Sequence, residues 1–395
     1  MTPTSRALID QLPGSKIREV ADSGIGRRDL LPFWFGESDE VTPEPIRRAA
    51  ADSIHAGETF YSANLGLPEL REAIAAYLST LHRPVTGERV AVCSGGVNAL
   101  MIGLQAIVDS GDEVIAVVPL WPNLTAQASI LGGRVKRISL RFDADDGWML
   151  DVPALLDQVG PQTRVLLLNA PNNPTGWTLS AEQQAQILAH CRQTGTWIVA
   201  DEVYERVFFG RSGAGAQAGR TVAPSFLDLA NPQDRLIVVH SFSKSFLMTG
   251  WRLGWMVVPP RLAPAIGKLI EFNTSCSPVF VQRAGLAALR IGEPMVADVV
   301  GKLRQCRDTL LPLLLETPRV RVATPEGGMY AFFQVEGEHD SLAFAKRLVR
   351  EAGLGLAPGA AFGHEGEGWL RWCFASREPA RLVDGVKRLR RSIGL

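Results

Sequence analysis

Five polar clusters along this chain carry residue types able to bind or process a charged small molecule, and each directly follows a short apolar run. Ser94-Gly95-Gly96 stands before a helix-period stretch. Two glycines let the backbone come close, and a helix start offers free N–H groups to an anion such as a phosphate; a tight strand-to-helix turn explains the same residues equally well. Pro119-Leu120-Trp121-Pro122-Asn123 holds a tryptophan able to stack on a flat ring, or simply to fill core. Asn169-Ala170-Pro171-Asn172-Asn173-Pro174-Thr175-Gly176 is a stiff loop rich in amide donors. Asp201-Glu202-Val203-Tyr204 places a carboxylate straight after Trp197-Ile198-Val199-Ala200, where burial without a cationic partner is costly. Finally, Ser241-Phe242-Ser243-Lys244-Ser245-Phe246 leads to Gly250-Trp251-Arg252. A lysine at the end of a buried run has its amine pKa lowered, as Schiff-base chemistry requires.

The elements that must position these clusters are short. The apolar runs at 90–93, 114–118, 165–168, 197–200, 236–239 and 255–258 lack polar alternation and are too brief for helices. They read as strands buried on both faces of a largely parallel sheet. Helix-period segments at 70–81, after Pro68, and at 97–108 lie between strands, and Ser180 with Gln183 makes a capping box before 185–190. Strand and helix in alternation imply an α/β domain with helices on both sheet faces, and open sheets of this kind bind ligands beyond their strands' C-terminal ends. Beyond about residue 275 the pattern turns helical (279–291, 294–315, 341–351, 379–393), with short strands near Val320, 329–335, 354–357 and 370–374. The expected division is a large domain over 46–280 and a smaller α+β domain built from 1–45 with 281–395.

Other chemistries lack their motifs. Gly213 and Gly215 followed by Gly219 do not make G-x-G-x-x-G, and the stretch 210–219 reads as a surface loop. There is no P-loop, no G-x-S-x-G elbow, and no H-x-x-x-H spacing among the six histidines, so no metal is expected. The five cysteines are far apart and include no C-x-x-C pair, which fits a reducing compartment.

The polar clusters together resemble the signature blocks of the class I/II, fold-type-I aminotransferases that depend on pyridoxal 5′-phosphate (PLP). The blocks are N-A-P-N-N-P-T-G, D-E-V-Y and S-F-S-K-S-F-L-M-T-G-W-R-L-G. Gly36-Glu37-Ser38-Asp39 with Thr42-Pro43, Tyr61 with Gly66 through Arg71, Pro358-Gly359 with Phe362-Gly363, and Leu370-Arg371 extend the likeness over nearly the whole chain. The resemblance implies the fold-type-I architecture: a mostly parallel sheet between helices, plus a smaller α+β domain.

It also implies roles. Lys244 would hold PLP as the internal aldimine and later move the proton between substrate and cofactor, while Asp201 would face the pyridine nitrogen. Tyr204 and Asn173 would bond the ring hydroxyl, and Trp121 would stack on the ring. The phosphate would fall to Ser94, Gly95, Gly96, Ser241, Ser243 and Arg252, with Tyr61 reaching the neighbouring subunit's phosphate in a homodimer with shared sites. Arg371 would clamp the substrate α-carboxylate through its planar fork, assisted by Asn173 and the backbone at Gly36. Three departures stand out: Val97-Asn98 where some dicarboxylate-preferring relatives carry lysine, Asn123 in place of a second aromatic, and Ser38 in place of proline.

The expected activity is ping-pong amino transfer between an L-amino acid and a 2-oxo acid, through a pyridoxamine phosphate form of the cofactor. Phe33, Trp34, Phe35, Phe60 and Val97 tilt the expected substrate towards neutral or aromatic amino acids. A β-eliminating C–S lyase of the same fold is the alternative, distinguished by pyruvate and ammonia release without an acceptor. A PLP-binding regulatory module is a remote one, because too few residues precede Gly36 for a DNA-binding domain. Forty-one basic residues balance 41 acidic ones in 395, and 46% are hydrophobic, which disfavours nucleic-acid binding and disorder. No run approaches the ~20 apolar residues of a membrane span, and the first residues lack a signal-like apolar region, so a cytoplasmic location is expected.

Overall fold

The computed structural model describes residues 5–210 and 222–395; the glycine pattern at 213, 215 and 219 lies outside them. Seven strands form the main sheet: β1 (Val90–Cys93), β2 (Glu113–Val118), β3 (Arg134–Ser139), β4 (Thr163–Asn169), β5 (Trp197–Asp201), β6 (Leu236–Ser241) and β7 (Gly254–Val257), in the order β1-β7-β6-β5-β4-β2-β3. The pairings from β3 through β6 are parallel; β7 runs antiparallel to both β1 and β6. All six apolar runs are therefore strands. The edge strand β3 escaped the sequence pattern because its residues, R-V-K-R-I-S, are mostly half-exposed and carry two charged side chains between the two apolar ones.

Alternation along each strand divides the core. Val165, Val199, Ile237 and Val239 meet the helices Gly96–Gln105 and Ala263–Thr274. Leu166, Ile198, Val238 and Trp255 face the helices Pro68–Leu81, Ala181–Thr194 and Val279–Ile291. Each fully buried aliphatic side chain contributes about 1.5–3 kcal/mol. The helix Ala181–Thr194 starts in the expected box, Ser180 Oγ accepting from the Gln183 N–H and Gln183 returning to Ser180 N.

A second, four-stranded antiparallel sheet comprises β8 (Val320–Val322), β9 (Tyr330–Val335), β10 (Ala357–Pro358) and β11 (Trp369–Cys373), ordered β8-β9-β11-β10. Its core is shared with the helices Glu293–Leu315 and Ala380–Ser392 and with Ile17, Val20, Phe33 and Trp34 from the start of the chain. Leu31–Pro32 pairs in parallel with Leu354–Gly355 as a separate two-stranded sheet, fastening that early segment to the chain just before β10.

Candidate active site

The C-terminal ends of β4, β5 and β6 open into a cavity of about 650 Å³, closed on the other side by residues 15–18, 35–37, Tyr330 and Arg371. It holds three chemically distinct regions.

At the floor, Asp201 ends β5 and is 2% exposed. Its carboxylate receives one long hydrogen bond, from the Val203 N–H at 3.4 Å. Burial pushes it up to about 7, against the opposing pull of that N–H, Lys244 and His240. Opposite stands Lys244, whose Nζ donates to the Gly36 carbonyl at 2.6 Å and lies 5.6 Å from the centre of the Tyr204 ring. Burial pulls its amine down to about 8.

The second region suits an anion. Gly96 opens a helix whose first N–H groups face the cavity end, and Gly95 before it sits at φ +90°. A Cβ on Gly95 would come 2.3 Å from Arg252 Nη2, so only glycine lets the guanidinium approach. Ser241 Oγ donates to Ser243 Oγ at 2.9 Å, and both line the cavity with Gly96 and Arg252. Ser94 does not line the cavity; its N–H is held by Asn98 Oδ1 at 3.2 Å. Tyr61 is 88% exposed and away from the cavity of its own chain.

The third region is a buried cation. Arg371, on β11 and 2% exposed, donates to Asn173 Oδ1 at 2.9 Å and to the Trp34 carbonyl, while its Nε has no partner among the described residues. Its guanidinium carbon sits 4.4 Å from the Tyr330 ring centre. Among the described residues its charge has no carboxylate partner.

Sequence reasoning missed five contributors. Tyr330 hydrogen-bonds Tyr204 through their hydroxyls at 2.6 Å; burial raises Tyr330 to about 12 and Tyr204 well above the phenol range, so both keep their protons. Tyr330 read only as part of an apolar strand. Asn169 accepts from the Asn173 N–H at 2.8 Å and donates to the Asp201 carbonyl at 3.0 Å, joining two clusters. Ser15, Ile17 and Arg18 line the mouth from a segment with no motif. Conversely, of the aromatics expected at the mouth, Phe33 and Trp34 are buried in the second core, Phe33 5.2 Å from Trp372, and only Phe35 lines the cavity. Trp121, Val97 and Asn123 do line it.

The family described as aminotransferase class I and II matches residues 32–389. The chain belongs to that family. As an aminotransferase it is 30% identical over 383 residues to an aspartate aminotransferase of Pyrococcus horikoshii, covering 96% of this chain and 94% of that one. It is 32% identical over 345 residues to an arginine–pyruvate transaminase of Pseudomonas aeruginosa, covering 87% and 85%. The solved aspartate aminotransferase of Thermotoga maritima superposes with a TM-score of 0.89 at 28% identity, covering 99% of this chain and 100% of that one. The aminotransferase is a PLP enzyme of the fold-type-I architecture, acting on an amino acid and a 2-oxo acid. The residues present fit the cofactor: a buried carboxylate lacking a cation suits a protonated ring nitrogen, and a helix start with two serines and an arginine suits a phosphate. No described helix is long and apolar enough to cross a membrane.

Proposed function

We propose that Asp201, Tyr204, Asn173 and Trp121 hold the PLP ring, that Gly95, Gly96, Ser241, Ser243 and Arg252 hold its phosphate, that Tyr61 does so for the neighbouring subunit of a homodimer, and that Lys244 is the amine which attaches it. The observation that carries this reading is the placement of Asp201, Lys244 and Arg371 around one cavity, each buried charge lacking a full partner of its own. Bound there, PLP supplies a carbonyl carbon that reacts with amines and a ring that takes up the electron pair released at the substrate α-carbon. Asp201 keeps the proton on the ring nitrogen. Lys244 Nζ carries the proton lost from the α-carbon, an exchange suited to an amine whose pKa is lowered to about 8. Arg371 and Asn173, with the Gly36 backbone, hold the α-carboxylate and so orient the α-hydrogen towards Lys244. The Tyr204–Tyr330 hydroxyl pair fixes the Tyr204 O–H at the ring. The test is PLP titration of cofactor-free protein carrying Asp201→Asn; unchanged affinity and turnover would remove Asp201 from the site.

The substrate proposed is an amino acid with a neutral or aromatic side chain, supported by Ile17, Phe35, Val97, Leu100 and Trp121 along the wall. A second reading, an acidic side chain, is favoured by Arg18 at the mouth. Screening the twenty amino acids for bleaching of the visible band, with wild type and Arg18→Ala, separates the two. A cytoplasmic location and the division into 46–280 against 1–45 with 281–395 are also proposals. The packing of Val279–Ile291 on the main sheet's core argues for moving the second boundary towards Gly292.

A further inference from the structure

Beneath the cofactor end, on the opposite face of the main sheet, lies a buried ionic cluster that the reaction above does not use. Strand alternation puts His240 on the face of Val238, whereas Asp201 shares the face of Val199. Glu205 is 4% exposed and sits between two imidazoles: its Oε2 is 3.0 Å from His82 Nε2 and its Oε1 is 3.2 Å from His240 Nδ1. His82, at the end of the helix Pro68–Leu81, is bonded on its other nitrogen to Asp228 at 2.8 Å. His240 is 1% exposed and stacks on Trp255 with ring centres 5.2 Å apart. The remaining charges nearby are otherwise engaged, Glu202 by Ser225 and the Phe226 N–H, and Arg206 by Glu293 and Tyr77.

Burial alone would raise Glu205, yet His240 and His82 hold it well below the usual carboxylate range. A carboxylate only accepts hydrogen bonds, so His82 turns its Nε2–H towards Glu205, while the His240 contact is an ionic one at 3.2 Å. Glu205 directly follows Tyr204, and His240 directly precedes Ser241. The cluster therefore bridges the two segments that carry Asp201 with Tyr204 and Ser241 with Lys244.

We propose that Glu205 is a positioning residue for the cofactor: gripped by His82 and His240, it locks the turn bearing Asp201 and Tyr204 against the strand leading to Ser241 and Lys244. It acts through those residues and touches neither cofactor nor substrate. The proposal rests on the cofactor placement argued above.

The test uses Glu205→Gln and His240→Asn, with PLP affinity and the visible circular dichroism of the bound cofactor as readouts. Replacing the anion between two imidazoles is expected to raise the PLP dissociation constant about tenfold and to change the visible dichroic band. His240→Asn changes both in the same direction by less, and decides the matter alone if the glutamine variant does not fold. A fall in melting temperature with PLP affinity within about twofold of wild type and an unaltered dichroic band would overturn the positioning role and leave Glu205 a stability element. Failure of wild-type protein to bind PLP would instead remove the cofactor placement itself.

Discussion

Arg371→Ala removes the cation that β11 of the second sheet brings into the cavity. The guanidinium is 2% exposed and already held by Asn173 and the Trp34 carbonyl, so its position is set before substrate arrives. A substrate carboxylate adds up to two charge-assisted hydrogen bonds in a desolvated setting, each worth about 1.5–3 kcal/mol. Losing them costs about 3–5 kcal/mol, which lowers kcat/KM by roughly two to four powers of ten. The loss should fall mainly on KM, because the carboxylate is bound before and during the reaction alike. The assay is the half-reaction followed by bleaching of the visible band, run with an amino acid and with the amine that lacks its carboxylate. The variant should lose activity towards the amino acid, lose little towards the amine, and bind PLP within about threefold of wild type. Equal losses on both substrates, or none on either, would refute the carboxylate role. Arg371→Lys keeps the charge without the fork and should fall between.

Reconstitution of cofactor-free protein with PLP should quicken with pH and level off above about 8, because Lys244 must be a free amine to react; a rise continuing beyond pH 10 would show an ordinary lysine. Asp201 has its folded pKa raised to about 7 from an ordinary 3.8, so the cofactor-free protein loses stability as pH rises through that window. Asp201→Asn should abolish that part of the dependence, giving a higher melting temperature than wild type at pH 8 without cofactor, and no difference there would show Asp201 is not strained. Gly95→Ala forces a Cβ to 2.3 Å from Arg252 Nη2 at φ +90°, and should weaken PLP binding by tenfold or more in a fluorescence titration. Ser180→Ala removes the helix cap and should cost about 1 kcal/mol of stability with turnover unchanged, read by denaturant melts.

Much of the site was legible because its residues follow buried strands. Asp201 and Ser241 stand at the ends of strands that begin as short unbroken apolar runs, and a polar group at the end of such a strand faces a ligand or a partner. Strand β3 was not legible, since an edge strand needs neither an apolar run nor clean alternation. Tyr330 was hidden for the opposite reason: in an apolar strand its hydroxyl carries no signal until Tyr204 is placed opposite it. Phe33 and Trp34 were misplaced at the substrate mouth because an aromatic's type does not say which side of the backbone it takes; both fill core, and it is the Trp34 carbonyl that reaches the site. Arg18 enters through the fold of the first residues, which no local pattern announces.

Lys244, three residues beyond the end of β6, is the proposed covalent anchor of PLP. Borohydride reduction of the purified yellow protein, followed by peptide mapping, tests it most directly. The expected result is loss of the visible band and a phosphopyridoxyl group on Lys244 alone. A label on another lysine, or protein with no visible band after incubation with PLP, would contradict it.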